Sequence, residues 1–219
     1  MIDLMMKEWI YEVAEDIYPK REDSRNVYQR AVFMFNKVVD SEKGDFNVAF
    51  NTKNIQMFGL VCLKMAINHI RDNLTNIPCD EILFSYCLDG YKTTEYIACE
   101  NDISSLNPFD EMEENLVLNQ LDTYFSYHSE DSMIKDIAYV LCDSYLLYYN
   151  LKMELMCQLA PVCVTFSRRL FYKKEDSQWN VTIESFFKRS FGSVQIVYNQ
   201  MYKVVMNLHD ISKKKLNQK

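Results

Sequence analysis

The 219-residue chain carries only four Gly and four Pro, 14% aromatic and 48% hydrophobic residues, and a formal net charge of −7. So few turn-forming residues leave little for strands and hairpins to be built with, and an all-α protein is expected. The acidic balance weighs against nucleic-acid binding, which draws affinity from neutralised phosphates, and suits basic protein partners better.

Seven cysteines make an odd count without paired spacing, and the start, MIDLMMKEWI, lacks the basic-then-apolar order of a secretion signal. A reducing compartment, nucleus and/or cytoplasm, with unbridged thiols is therefore expected.

Along the chain, Asp3–Tyr18 places Met6, Ile10, Val13 and Ile17 on one helical stripe, and Pro19 stops it. Asp23 or Ser24 is the expected cap of a second helix with Val27, Ala31, Phe35 and Val38 along one face, ended by the polar Asp40–Asp45 connection and Gly44. The stretch Asn54–Asp72 is apolar at nearly every position of a helix drawn at about 100° per residue. Such a helix is buried in lipid or in protein. Gln56, Lys64 and Asn68 interrupt it short of the roughly 18–20 residues a membrane span needs, so no membrane partner is expected. It reads as the central helix of a bundle, with Gly59 marking where a neighbour comes close. Pro78-Cys79-Asp80 then opens a short helix through Tyr86, closed by Asp89-Gly90, and Thr93 or Thr94 caps Glu95–Leu106.

An acidic connector, Asp110–Glu114, follows, and the pattern restarts with helices Leu116–Tyr127 and Asp131–Tyr149. Leu151–Phe171 is again apolar nearly all round, with Pro161 expected to kink or restart it. A polar break at Lys173–Gln178 leads to Trp179–Arg189, Val194–Leu208 and a short basic tail, Lys213–Lys219. The sum is two tandem five-helix units, 1–109 and 110–219, each around one buried central helix.

Chemistry is sparse. The three histidines, His69, His128 and His209, lie on three different helices, no Cys or His pairs fall at zinc spacing, and four glycines supply no phosphate loop. No nucleophile sits with a base. The expected function is binding, not catalysis, with no cofactor and no metal.

Several segments resemble the cyclin family when taken in order. Lys7–Val13, KEWIYEV, is similar to the first-helix pattern. Asn54–Ala66, NIQMFGLVCLKMA, resembles the third helix, with Gln56 and Gly59 at the expected places. Tyr91–Glu100, YKTTEYIACE, resembles the approach to the family's fifth-helix glutamate, and Ile137–Tyr149 and Leu159–Leu170 resemble helices of a second cyclin box. The resemblance covers nearly the whole chain and implies two cyclin boxes. It also implies a regulatory subunit that binds a cyclin-dependent protein kinase beside its mobile glutamate-bearing helix and activates it.

For kinase binding the resemblance implies Met65, Asn68, His69, Glu100 and Phe109. Glu100 stands at the family's glutamate position, whereas Asn68 replaces a lysine, His69 an aromatic residue, and Ser104 an apolar one. For substrate docking it implies a groove from Ile2, Met5, Met6, Trp9, Glu12 and Gln56, taking short motifs with an arginine and a leucine. Met5, Trp9 and Glu12 lie roughly 60–120° to one side of the first helix's core stripe, a greasy slot with a carboxylate at its end. Asp3 departs from the family's groove motif. The chain begins at the first-box helix and stops just after the second box, a trimming similar to that of cyclins carried by viruses. Two other readings stand beside this one: a cyclin-fold adaptor that docks proteins without activating a kinase, favoured by Asn68, His69 and Ser104, and a DNA-gripping initiation factor, disfavoured by the acidic charge.

Overall fold

The computed structural model describes residues 2–41, 51, 53–87, 90–149, 153–173 and 179–216, and every regular element among them is helical. The chain divides into two compact units, Met1–Leu116 with Asn150–Met153, and Val117–Tyr149 with Glu154–Lys219.

In the first unit α1 (Ile2–Ile17) ends before Pro19, and α2 (Arg21–Asp40) begins two residues beyond it. The expected caps Asp23 and Ser24 sit inside the first turn of α2, and Lys20 is its N-cap. Pro19 forces the break, so the helix restarts before the sequence offers a capping side chain. Nor is α2 one-faced: every residue from Val27 to Asn36 is buried, the polar Gln29, Arg30 and Asn36 included. Arg30 meets part of that cost through its own helix, donating from Nη1 to the Asn26 carbonyl at 3.3 Å and to Asn26 Oδ1 at 2.9 Å. Tyr18, 2% exposed, has its hydroxyl pushed up to about 12 by burial and then by Asp23.

The apolar stretch forms α3 (Ile55–His69), followed by the 3-10 turn η1 (Arg71–Asn73). From Ile55 to Ile67 all but Gln56 and Lys64 are buried, with α1, α2, α4 (Asp80–Ser85) and α5 (Thr93–Ser105) packed around it. Gly59 is where α1 crosses. A Cβ placed there would lie 2.7 Å from Met6 Cε and 3.3 Å from Trp9 Cζ3. Thr93 is the first residue of α5 rather than its cap; Lys92 caps it, and its N–H donates to Glu95 Oε2 at 3.0 Å.

The expected acidic connector is a helix, α6 (Pro108–Asn115). Asn107 turns the chain in the left-handed region (φ 46°), Pro108 occupies the first helical position where its missing N–H costs nothing, and Met112 is fully buried. Among the described residues the first unit thus carries α1 to α6, one helix more than expected.

The second unit contains α7 (Val117–Tyr127) and α8 (Ser132–Tyr148), the latter capped by Asp131, which accepts from the Met133 N–H at 2.8 Å. The run read as one helix from Leu151 is two, α9 (Met153–Met156) and α10 (Leu159–Tyr172). Pro161 falls in the first turn of α10, where an N–H has no intrahelical partner, so the helix restarts rather than kinks. Leu159 to Ser167 are buried without interruption against α8, α7 and α12. Asn180 caps α11 (Val181–Phe187), shorter than the expected Trp179–Arg189, and α12 (Phe191–Leu216) starts earlier and runs farther than the expected Val194–Leu208.

A nearly buried ion pair between Arg168 of α10 and Glu130 fixes one end of this unit. Arg168 also donates to the Tyr124 hydroxyl at 2.7 Å, and Phe187 stacks on the Tyr124 ring at 5.3 Å. Gly44, Asp89, residues 174–178 of the polar break, Leu151 and residues 217–219 of the basic tail lie outside the described residues.

The close approach at Gly59 is testable. Gly59→Val must push α1 away and is expected to destabilise the protein by about 1–3 kcal/mol, read as a lower urea midpoint. Gly59→Ala is expected to be near neutral, because a helix-propensity gain of about 1 kcal/mol offsets the displaced Met6 methyl. An unchanged midpoint for valine would show that α1 does not cross there.

Candidate functional site

The residues that the sequence pointed to for binding fall in two groups on the first unit. The first collects where α3 ends and α5 turns into α6. Asn68 and His69 are exposed at the last turn of α3, and His69 stacks on Phe109 with ring centroids 4.7 Å apart and planes 15° from parallel. Phe109 is held there by the α5–α6 turn, in which the Asn107 N–H donates to the Ser104 carbonyl at 3.0 Å. One helical turn before Ser104 along α5 lies the half-buried Glu100. Met65 is only 5% exposed, so its side chain belongs mainly to the core.

Upstream on the same helices, Lys64 Nζ is 3.0 Å from Asp80 Oδ2 and lies over the Tyr96 ring, 5.0 Å from its centroid. Burial, then Glu100 and Asp80, push the Tyr96 hydroxyl up, so it stays protonated and neutral. Phe84 meets Tyr96 edge-on at 4.9 Å and is itself 38% exposed. Ile82 (48%) on α4 and Ile97 (51%) on α5 are exposed as well. Sequence reasoning missed these exposed side chains. The available signal was Ile82 and Phe84 on a helix of six residues, too short to bury both.

The second group lies along α1. Met5 is 63% exposed, Trp9 is half-buried against Gly59, and Glu12 is exposed, whereas Met6 is buried beneath them. Gln56 Nε2 donates to the Tyr86 carbonyl at 3.3 Å, and the Tyr86 hydroxyl donates to Asp16, which pushes that hydroxyl up to about 12. Tyr86 therefore ties the start of α3 and the end of α1 together. Ile2 begins α1, and its side chain lies outside the described residues.

The chain matches no family model and no curated protein. Among the described residues no helix is long and apolar enough to cross a membrane, and no cluster of three His, Cys, Asp or Glu is placed to hold a metal ion. What both groups offer is apolar and aromatic surface edged by a few charges, the makeup of protein-binding hot spots.

The His69–Phe109 stack has a direct readout. Phe109→Ala is expected to move the His69 Hε1 proton resonance downfield by removing the ring current of its neighbour, with the other two histidines unmoved. An unshifted His69 signal would mean the rings do not stack in solution.

Proposed function

We propose that this chain is a cyclin-like regulatory subunit that binds a cyclin-dependent protein kinase and helps select its substrates. The observation that carries the reading is the exposed corner of the first unit. There the His69–Phe109 stack and the exposed Asn68 stand at the end of α3, and α5, which carries the half-buried Glu100, packs against that helix. A partner helix laid across it would find backbone-reading groups in Asn68 and Glu100, and apolar area in Phe109. Held there, the kinase's glutamate-bearing helix is kept inward, so that its lysine–glutamate pair and metal-binding aspartate line up. The α1 surface of Met5, Trp9 and Glu12, with Gln56 behind it, suits a short segment that offers a leucine to the apolar part and an arginine to the carboxylate.

Asn68 favours a second reading, an adaptor of the same fold that docks proteins without activating a kinase. A neutral hydrogen bond contributes roughly 1 kcal/mol against about 1.5–3 for a charge-assisted one, so the asparagine weakens the hold by about two- to thirtyfold relative to a lysine. The exposed Ser104 adds nothing apolar in compensation.

One experiment separates these readings. The protein is mixed with a panel of cyclin-dependent kinases, and co-elution and phosphorylation of a histone-type substrate are recorded. Co-elution with activity supports the activator, and co-elution without activity supports the adaptor. Glu100→Ala is expected to abolish co-elution with the circular dichroism spectrum unchanged, and Asn68→Lys to tighten binding about tenfold. Co-elution that survives Glu100→Ala would place the interface elsewhere.

A further inference from the structure

At the start of α2 the first unit carries a cavity of about 330 Å³. It is lined by Glu22, Asp23, Asn26 and Arg30 of that helix and by Ile70 and Leu74, which flank η1. The volume falls at the lower end of the roughly 300–1,000 Å³ range of clefts that hold small molecules. The Thr75 hydroxyl donates to Asp23 Oδ2 at 2.8 Å and so ties the chain leaving η1 to the first turn of α2. None of these residues is used by the kinase corner or by the α1 surface.

The helix repeat decides how the charges are arranged. Glu22, Asp23, Asn26 and Arg30 stand at i, i+1, i+4 and i+8, along one face of α2. Side chains on a helix lean toward its N-terminus, and Arg30 leans back a full turn. Its Nη1 donates to the Asn26 carbonyl at 3.3 Å and to Asn26 Oδ1 at 2.9 Å, so the guanidinium stands at the level of Asn26. Glu22 and Asp23 leave the backbone three and four residues earlier, about 5 Å along the axis. Both signs of charge thus open onto one cavity, about a helical turn apart. Arg30 is only 5% exposed, whereas Asp23 is half-buried and Glu22 exposed, so the cation lies deep and the carboxylates stand at the mouth. The buried Ile70 and the half-buried Leu74 add an apolar wall.

A lone anion drawn to Arg30 would meet two carboxylates, and a lone cation drawn to Asp23 would meet the guanidinium. A molecule that carries both charges on one short frame satisfies both walls. We propose that this cavity binds a free α-amino acid with an aliphatic side chain of about the size of leucine. Its carboxylate accepts hydrogen bonds from the Arg30 guanidinium, its ammonium donates to Asp23 at the mouth, and its side chain lies on Ile70 and Leu74. The Thr75 hydroxyl, bonded to Asp23 Oδ2, fixes the direction in which that carboxylate faces. The site does not depend on the kinase reading.

The test is isothermal titration calorimetry of the full chain, without a kinase, against L-leucine and two derivatives that each lack one charge. N-acetyl-L-leucine has no ammonium, and L-leucinamide has no carboxylate. L-leucine is expected to bind saturably in the millimolar range or below, about tenfold or more tighter than either derivative. Asp23→Asn is expected to weaken L-leucine about tenfold and to strengthen N-acetyl-L-leucine, with far-UV circular dichroism unchanged. Should that variant fail to fold, Glu22→Gln at the exposed mouth is expected to shift both affinities in the same directions by a smaller factor. No saturable heat with L-leucine overturns the proposal. So does a derivative that binds as tightly as L-leucine, since the cavity would then take an anion or a cation alone. An affinity for L-leucine unchanged in the folded variant overturns it too.

Discussion

Everything in the first unit follows from a helix with no polar face. From Ile55 to Ile67 only Gln56 and Lys64 reach solvent, and neither does so fully. At about 0.8 kcal/mol per buried methylene, exposing any side of α3 is costly, so helices must surround it. α2 lies along it with its own residues from Val27 to Asn36 buried, and α1 crosses at Gly59, where a side chain would collide with Met6 and Trp9. Once α1, α2, α4 and α5 surround this rod, its last turn has nowhere to go but the surface. Asn68 and His69 emerge there, and Phe109 at the start of α6 covers His69. The candidate binding corner is thus a by-product of burying the rod.

The second unit meets a similar demand by different means. α10 is buried along Leu159–Ser167, but its apolar run includes Pro161, tolerated because it falls in the first turn. Its far end is held by polar chemistry: Arg168 pairs with Glu130, donates to the Tyr124 hydroxyl, and lies over the Tyr124 ring. Burial, with Glu130 adding to it, pushes that hydroxyl up to about 12 despite the guanidinium beside it. A groove beneath α12 opens where α10 ceases to be buried on all sides.

Much of this was legible in the sequence, and the exceptions share a cause. The helical class, the buried stretch before Asp72 and the close approach at Gly59 are local properties of composition and period. Asp110–Glu114 read as a connector because the run is acidic, yet one residue within it, Met112, pins it as a helix. α2 read as one-faced because Gln29, Arg30 and Asn36 are polar, and only tertiary packing reveals that they are buried. Leu151–Phe171 read as one apolar stretch that Pro161 would kink or restart, and the restart falls at Leu159, two residues before the proline. For the site, the pairing of His69 with Phe109 joins residues 40 positions apart and needed coordinates. The exposure of Ile82, Phe84 and Ile97 was written in residues too few to show a period.

The most direct measurement is native-state hydrogen–deuterium exchange followed by mass spectrometry of peptides spanning α3 and α4. If α3 is the rod on which the unit is assembled, amides from Met57 to Ile67 exchange only through global opening, orders of magnitude more slowly than those of the short, exposed α4. Exchange of α3 at the rate of α4 would contradict this: the helix would not be the centre of the unit, and the corner built from its last turn would lose its support.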